Sequence, residues 1–316
     1  MIPDFRYPIL KVMNPHRLRA YILLIIVSLI WAAAGPIIKY TLGVLPPLTF
    51  LTYRFAISTV FGLIAFIFIG FSLPKDKKSL ALIAIYGLFT STIALGLLFW
   101  GLEKTTVVDM SLISITGPIM ITIAGVIFLK ERVTKREKIG MSIALIGMVT
   151  TVIEPILGGD GISRLSGNIL IILYLLGNTI SIVLLKILLR QGIKPIILSS
   201  ISFIIGFLTI LPLTLIKYGA ANIFQTLQEI PLPYHLAVFF LAILSGNIAY
   251  ALSDKAQKTI EISEAALFSY LYPVLSIPIA VLWLKEKVSI TFLFGAIIIA
   301  VGIFVAEFKR RSVAST

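Results

Sequence analysis

The chain contains no cysteine, so it holds no disulfide, no thiol nucleophile and no thiolate metal ligand. Histidine is nearly as scarce. His16 lies in the N-terminal tail and His235 at the mouth of an apolar run, which is no basis for a histidine-rich metal site. Charged residues make up 13% of the chain, against about 25% in soluble domains. Acid is scarcer than base: 14 Asp and Glu face 27 Lys and Arg, for a net charge of +13. None of the acidic residues falls at the centre of an apolar run. Glu103, Asp109, Glu154, Asp254 and Glu264 lie near run ends or in loops. A carrier that trades protons for organic cations wants a carboxylate in its cavity. The pattern therefore gives no support to proton coupling through a buried acid and leaves facilitated diffusion or exchange open. No P-loop pattern is present, which argues against ATP-driven pumping. No convergent His, Cys or paired carboxylates mark an enzyme. Neither a metal nor an organic cofactor is expected.

Apolar residues are what the chain has in excess, at 59%, with a mean hydropathy of +1.06. A soluble fold of 316 residues cannot hide that much apolar surface, so the lipid bilayer is the expected solvent. Ten runs are long enough to cross a bilayer. They cover Tyr21–Tyr40, Leu48–Phe71, Leu80–Gly101, Val107–Leu129 and Glu137–Leu157, then Gly167–Arg190, Pro195–Lys217, Leu236–Leu252, Ile262–Leu284 and Ile290–Phe308. The first run resembles a signal peptide, with its basic flank and Ala32-Ala33-Ala34. Cleavage there would leave two unequal repeats, so the run is read as a retained span. The basic residues sit in short loops between runs, which assigns them to topology and speaks against a nucleic-acid partner. With the N-terminus cytoplasmic, 20 Lys and Arg fall inside and 6 outside, with Arg54 within a span. Both termini are therefore expected on the cytoplasmic side of the cell membrane.

The chain also repeats itself at an offset of 155 residues. Pro118 recurs as Pro273, Lys130-Glu131 as Lys285-Glu286, Gly140 as Gly295 and Gly147 as Gly302. A repeated unit with an odd number of spans enters the membrane once in each orientation, a plan common among secondary transporters. Gly158–Ser166, with three glycines, is the natural seam. The fold expected is an all-α integral membrane protein of ten transmembrane helices in two inverted five-helix repeats, residues 1–157 and 158–316.

Three stretches resemble the EamA-type family of the drug/metabolite transporter superfamily. One runs from Trp31 through Lys39 and Pro46-Pro47 to Arg54-Phe55. Another runs from Leu102 through Pro118 and Lys130-Glu131 to Gly140 and Gly147, and the last is its partner through Pro273, Lys285-Glu286, Gly295 and Gly302. The resemblance covers nearly the whole chain. It implies ten helices, a central cavity between two five-helix halves, and alternating access. The second half departs from the first: it has no obvious counterpart of Trp31 or Arg54, and Asp254-Lys255 stands where the first half has Phe99-Trp100.

Candidate cavity residues follow from polarity at depth. Pro118 and Pro273 each lack an N–H and free the carbonyl four residues earlier, on Ser114 and Ser269. Freed backbone inside a membrane is tolerated where it lines a cavity or is buried in protein. Tyr270 and Tyr272 flank the second of these sites. Tyr174 and Asn178 share a face of the sixth span with Ser181. Asn247 and Tyr250 do so in the eighth, near Ser245, with Ser91, Thr92 and Trp100 as rough counterparts in the third. Each of these either lines a pathway or makes an interhelical hydrogen bond. Arg54 either faces the cavity, where it favours a carboxylate or phosphate, or snorkels with Lys39 to the outer interface. Gly140, Gly147, Gly295 and Gly302 serve close helix packing, or else a homodimer contact. The function expected is secondary transport of small polar or amphipathic metabolites such as amino acids. The alternative is a flippase or scramblase for an anionic lipid.

Overall fold

The structure is a computed structural model that describes residues 15–70, 72–130, 135–157 and 161–307. Every regular element among them is helical. Glu131, and residues 158–160 of the glycine-rich seam, fall outside the described residues.

Helices α1 (Pro15–Leu42) and α2 (Pro47–Ile69) open the chain. Helix α3 (Lys77–Lys104) is α-helical except for a π-helical stretch at Leu88–Ala94. Helix α4 (Val107–Leu129) is broken after Ser114, and α5 (Lys135–Leu157) and α6 (Gly161–Arg190) follow. The second half continues with α7 (Pro195–Tyr218), a short exposed helix α8 (Ala220–Glu229) and α9 (Leu232–Gln257). Helix α9 carries its own π-helical stretch at Phe240–Ile248. Helix α10 (262–283) includes a 3-10 turn at Leu267–Tyr270, and α11 (Ile290–Glu307) closes the described chain.

Local sequence explains these limits. Pro47 and Pro195 sit at helix starts, where a missing N–H costs nothing. Gly70 and Gly219 end the same two helices at φ 79° and 74°, a backbone region that favours glycine. Eight helices are long and apolar enough to cross a membrane, and two shorter apolar stretches, Lys138–Ile153 and Leu293–Gly302, lie in α5 and α11. Ile67, Phe68, Ile216 and Leu282 are each at least 74% exposed, as side chains facing lipid would be.

The repeat duplicates a set of polar contacts, and the two ion pairs among them tie the halves together. Arg164 grips Asp109 through Nε at 2.7 Å and Nη2 at 2.8 Å, and Thr105 Oγ1 donates to the same carboxylate at 3.0 Å. Arg17 pairs with Glu264 at 2.6 Å. Arg17 and Arg164 are offset by 147 residues, Asp109 and Glu264 by 155. Lys39 Nζ donates to the carbonyls of Leu102 at 2.8 Å and Thr105 at 2.6 Å. Lys186 Nζ donates to those of Gln257 and Ile260, the same positions one repeat later. Lys39 therefore caps the C-terminal end of α3, where a cation suits the helix dipole.

The duplicated glycines join α5 to α11. A Cβ at Gly302 would lie 2.4 Å from Ala144 N and 2.7 Å from Gly140 O. One at Gly147 would lie 2.8 Å from Ile299 N and 3.0 Å from Gly295 O. These faces meet each other inside one chain, the close packing that small residues permit.

Candidate functional site

A central cavity of about 190 Å³ lies between the halves. Its walls come from α1, α2, α3, α4, α6, α9 and α10. Many lining positions are repeat partners: Thr90 with Ser245, and Ser114 with Ser269, at 155 residues; Trp31 with Asn178 at 147. The cavity thus sits where the pseudo-symmetry of the two halves meets. Thr90 and Ser245 belong to the two π-helical stretches, a distortion that recurs at functional sites.

The helix break in α4 places Thr116 before a new helical segment in which Pro118 is the second residue. In α10, Pro273 is the third residue of the segment that follows the 3-10 turn. The prolines themselves stand behind the wall. Ser114 and Ser269, four residues before them, do line it, but each proline stands in the first turn of a new helical segment, so the expected release of a mid-helix carbonyl is not what places these serines there.

Arg54 lines the cavity and is only 2% exposed. Its Nε and Nη1 have no hydrogen-bond partner, and its guanidinium lies 5.6 Å from the centre of the Phe99 ring. An uncompensated buried cation is costly, and the cation–π contact recovers only part of that cost. Of the two sequence readings for Arg54, the structure selects the cavity. Aromatic rings face it there. Trp31 meets Tyr250 edge-on at 5.1 Å and Tyr272 at 6.0 Å, and donates its indole N–H to Ser245 O at 2.9 Å. Tyr174 shares the wall.

Six sequence candidates therefore meet on the wall: Arg54, Ser114, Tyr174, Asn178, Tyr250 and Ser269. Six lie behind it. Ser91 is buried against Gly206 with its Oγ unpartnered. Asn247 donates to Ser58 O at 3.0 Å, an interhelical bond. Trp100 packs on the main apolar core, Tyr270 ends the 3-10 turn, and Pro118 and Pro273 have been placed above. Sequence reasoning passed over Tyr86, Thr90, Ser253 and Gln257 as lining residues. It also misplaced Asp254. With the eighth span ended at Leu252, this carboxyl reads as a loop residue, yet α9 continues to Gln257 and Asp254 is 2% exposed on the cavity wall. Asp254 does stand near a helix end, three residues before Gln257, but that end of the helix reaches the cavity wall, which the sequence reading did not foresee.

The family model described as EamA-like transporter family matches residues 18–153 and again 165–308. An uncharacterized transporter of Bacillus subtilis, YyaM, is 26% identical over 297 residues, covering 92% of this chain and 94% of that protein. A probable amino-acid metabolite efflux pump of Salmonella typhimurium is 26% identical over 292 residues, covering 92% and 95%. A protein of the same description from Escherichia coli is 25% identical over 293 residues, covering 92% and 95%. A protein of known crystal structure shares the fold with a TM-score of 0.59 at 20% identity, over 91% of this chain and 96% of that one.

Proposed function

Because the chain belongs to the EamA-like transporter family and is a multi-span membrane transporter, we propose that it moves small carboxylate-bearing metabolites, amino acids foremost, out of the cell. The observation that carries the substrate class is Arg54. Its Nε and Nη1 are buried with no hydrogen-bond partner on a residue that lines the cavity, and the planar guanidinium matches a carboxylate in geometry. Tyr174, Tyr250 and Asn178 offer hydroxyl and amide partners, and Trp31 and Tyr272 an apolar surface for the rest of the substrate. Ser114 and Ser269 add hydroxyl oxygens to the wall, near Pro118 and Pro273, with the Ser269 proton donated to Ala266 O at 2.7 Å. Tyr270, Trp100, Asn247 and Ser91 are left out of the substrate contacts, with Asn247 tied to Ser58 O and Trp100 packed on the core. The relatives described as amino-acid metabolite efflux pumps support the same substrate class.

The proposed architecture counts α5 and α11 as spans alongside the eight longer ones, giving ten spans in two inverted halves, residues 1–157 and 158–316. Both termini then face the cytoplasm. The mechanism is rocking of the halves around the cavity, with no cofactor, so that it opens to one side at a time.

Counterflow in proteoliposomes tests the reading, with vesicles preloaded in turn with amino acids, organic cations, nucleosides and sugar phosphates. The wild type should take up an amino acid saturably. Arg54→Ala should lose about tenfold or more, the worth of a charge-assisted hydrogen bond, and Arg54→Lys should recover part of it. Uptake of only cations or nucleosides, or full activity in Arg54→Ala, would sink the carboxylate reading. A fluorescent-lipid assay on the same vesicles would reveal lipid movement.

A further inference from the structure

Recognition of a carboxylate at Arg54 leaves one charged group of the cavity without a task. Asp254 lines the wall, is 2% exposed, and its Oδ2 has no hydrogen-bond partner. A buried carboxyl that serves structure is held by donors or by a cation. Asp109 in this same chain shows how that looks, with Arg164 on both oxygens and Thr105 beside them. Asp254 has nothing of the kind. The nearest lysine along α6 is Lys186, whose Nζ is taken by the carbonyls of Gln257 and Ile260. The titratable groups that share its electrostatic surroundings are the Tyr86 phenol of α3 and the Tyr250 phenol of its own helix. From α10, Tyr272 lines the cavity, while Glu264 is engaged with Arg17 and Tyr21 of α1. Helix α7 presents Ser202, whose hydroxyl is spent on Ser199 O.

The repeat sharpens the point. Arg54 lies over Phe99 in the first half. Counted from Pro47 and Pro195, which both start their helices, Ser202 holds the place of Arg54. At 155 residues, Asp254 holds the place of Phe99. The cavity is therefore built on repeated positions but carries a cation on one arm of the symmetry and a carboxyl on the other. Among the described residues no ion pair to this carboxyl is present, so its natural partner is a proton.

We propose that Asp254 is a proton site that couples this transporter to the pH gradient. The proposal rests on the transport reading above. When the cavity opens to the acidic side, Asp254 Oδ2 takes a proton from water and the carboxylate becomes a neutral acid. An unpaired carboxylate is costly in a closed apolar cavity and easily hydrated in an open one, so the closed passage favours the protonated form. When the cavity opens to the other side, water receives the proton and the carboxylate is restored.

Two measurements on full-length protein test this. The first needs no substrate: infrared spectra of wild type and Asp254→Asn in detergent are recorded across pH. A protonated-carboxyl band that titrates and is missing from Asp254→Asn supports the proton site. No such difference band at any pH would overturn it. The second uses proteoliposomes with a trapped pH dye and an equimolar mixture of the common amino acids added outside. The wild type should change lumenal pH, Asp254→Asn should do so at least tenfold less, and Asp254→Glu should keep a response. An equal response in Asp254→Asn, or net amino-acid uptake by the wild type with no pH change, would overturn the coupling. A titrating infrared band with no amino-acid transport would keep the proton site and sink only the substrate reading. Gel filtration of each variant separates misfolding from loss of coupling.

Discussion

At Gly302 a methyl group would fall 2.4 Å from one backbone atom of α5 and 2.7 Å from another, and backbone cannot swing aside as a side chain can. Gly302→Ala should therefore push α11 away from α5 and destabilise the protein by about 1–3 kcal/mol, the usual range for overpacking. Gly70 makes a useful control, since nothing lies within 4 Å of its missing Cβ and only its φ of 79° resists a side chain. Gly70→Ala should cost about 1 kcal/mol. Thermal unfolding in detergent compares the two, and a larger loss at Gly70 would reject the packing argument. The glycine contact was legible because small residues seven apart share one helix face. Asp254 was not, because a hydropathy run stops at the first polar residues even where the helix goes on. The backbone continues for five residues past Leu252. Arg54 lay between these cases: its depth in the span was readable, but its direction was fixed only by the ring of Phe99 and the shape of the cavity.

Helix ends account for the duplicated Lys-Glu pair. Lys130 and Lys285 take φ of 60° and 58°, stopping α4 and α10 with a left-handed residue. Glu286 then reaches the other half: its two oxygens accept from the N–H groups of Val107 and Val108, each at 2.9 Å, at the start of α4. A carboxylate suits a helix N-terminus both as acceptor and as charge. Glu286→Ala should lose both bonds and lower stability by about 1–2 kcal/mol, while Glu286→Gln keeps part of the cap. Equal unfolding midpoints for wild type and Glu286→Ala would remove the cap from the account. The motif could be seen in the sequence, but its partner could not, since the contact spans 178 residues or more. The repeat itself was half legible. From α3 onward the halves run at 155, but the first helices run at 147 and the glycines ending α2 and α7 at 149. The shift falls where the second half inserts α8. At one fixed offset, the pairs Arg17 with Arg164 and Lys39 with Lys186 stay hidden.

Across the whole molecule those pairs mark opposite ends of the bundle. Arg17 begins α1 and Lys39 ends it, and a helix of 28 residues is about 42 Å long. The tie of Arg164 to Asp109 lies at the Lys39 end, through Thr105. It is the drier of the two, with side chains 16% and 1% exposed, against 52% and 23% for Arg17 and Glu264. Exposed pairs contribute little, and buried ones are strongly destabilising when broken. Arg164→Ala should therefore favour opening at that end by about tenfold or more, and Arg17→Ala should shift the balance at the other by no more than about fivefold. The absence of native cysteine makes the readout clean: single cysteines at positions 114 and 269 report labelling by aqueous reagents from each side. Protection of both positions in every variant would mean that the ties do not gate the cavity.

Among the described residues no lining residue of the cavity comes from α5 or α11, and their backbones touch at the glycines. Two bodies that rock against each other need a line along which they do not slide. If the halves rock as proposed, the glycine seam would supply it: the two helices pressed together there would work as an axle, and the seven helices that wall the cavity would be the arms that swing about it.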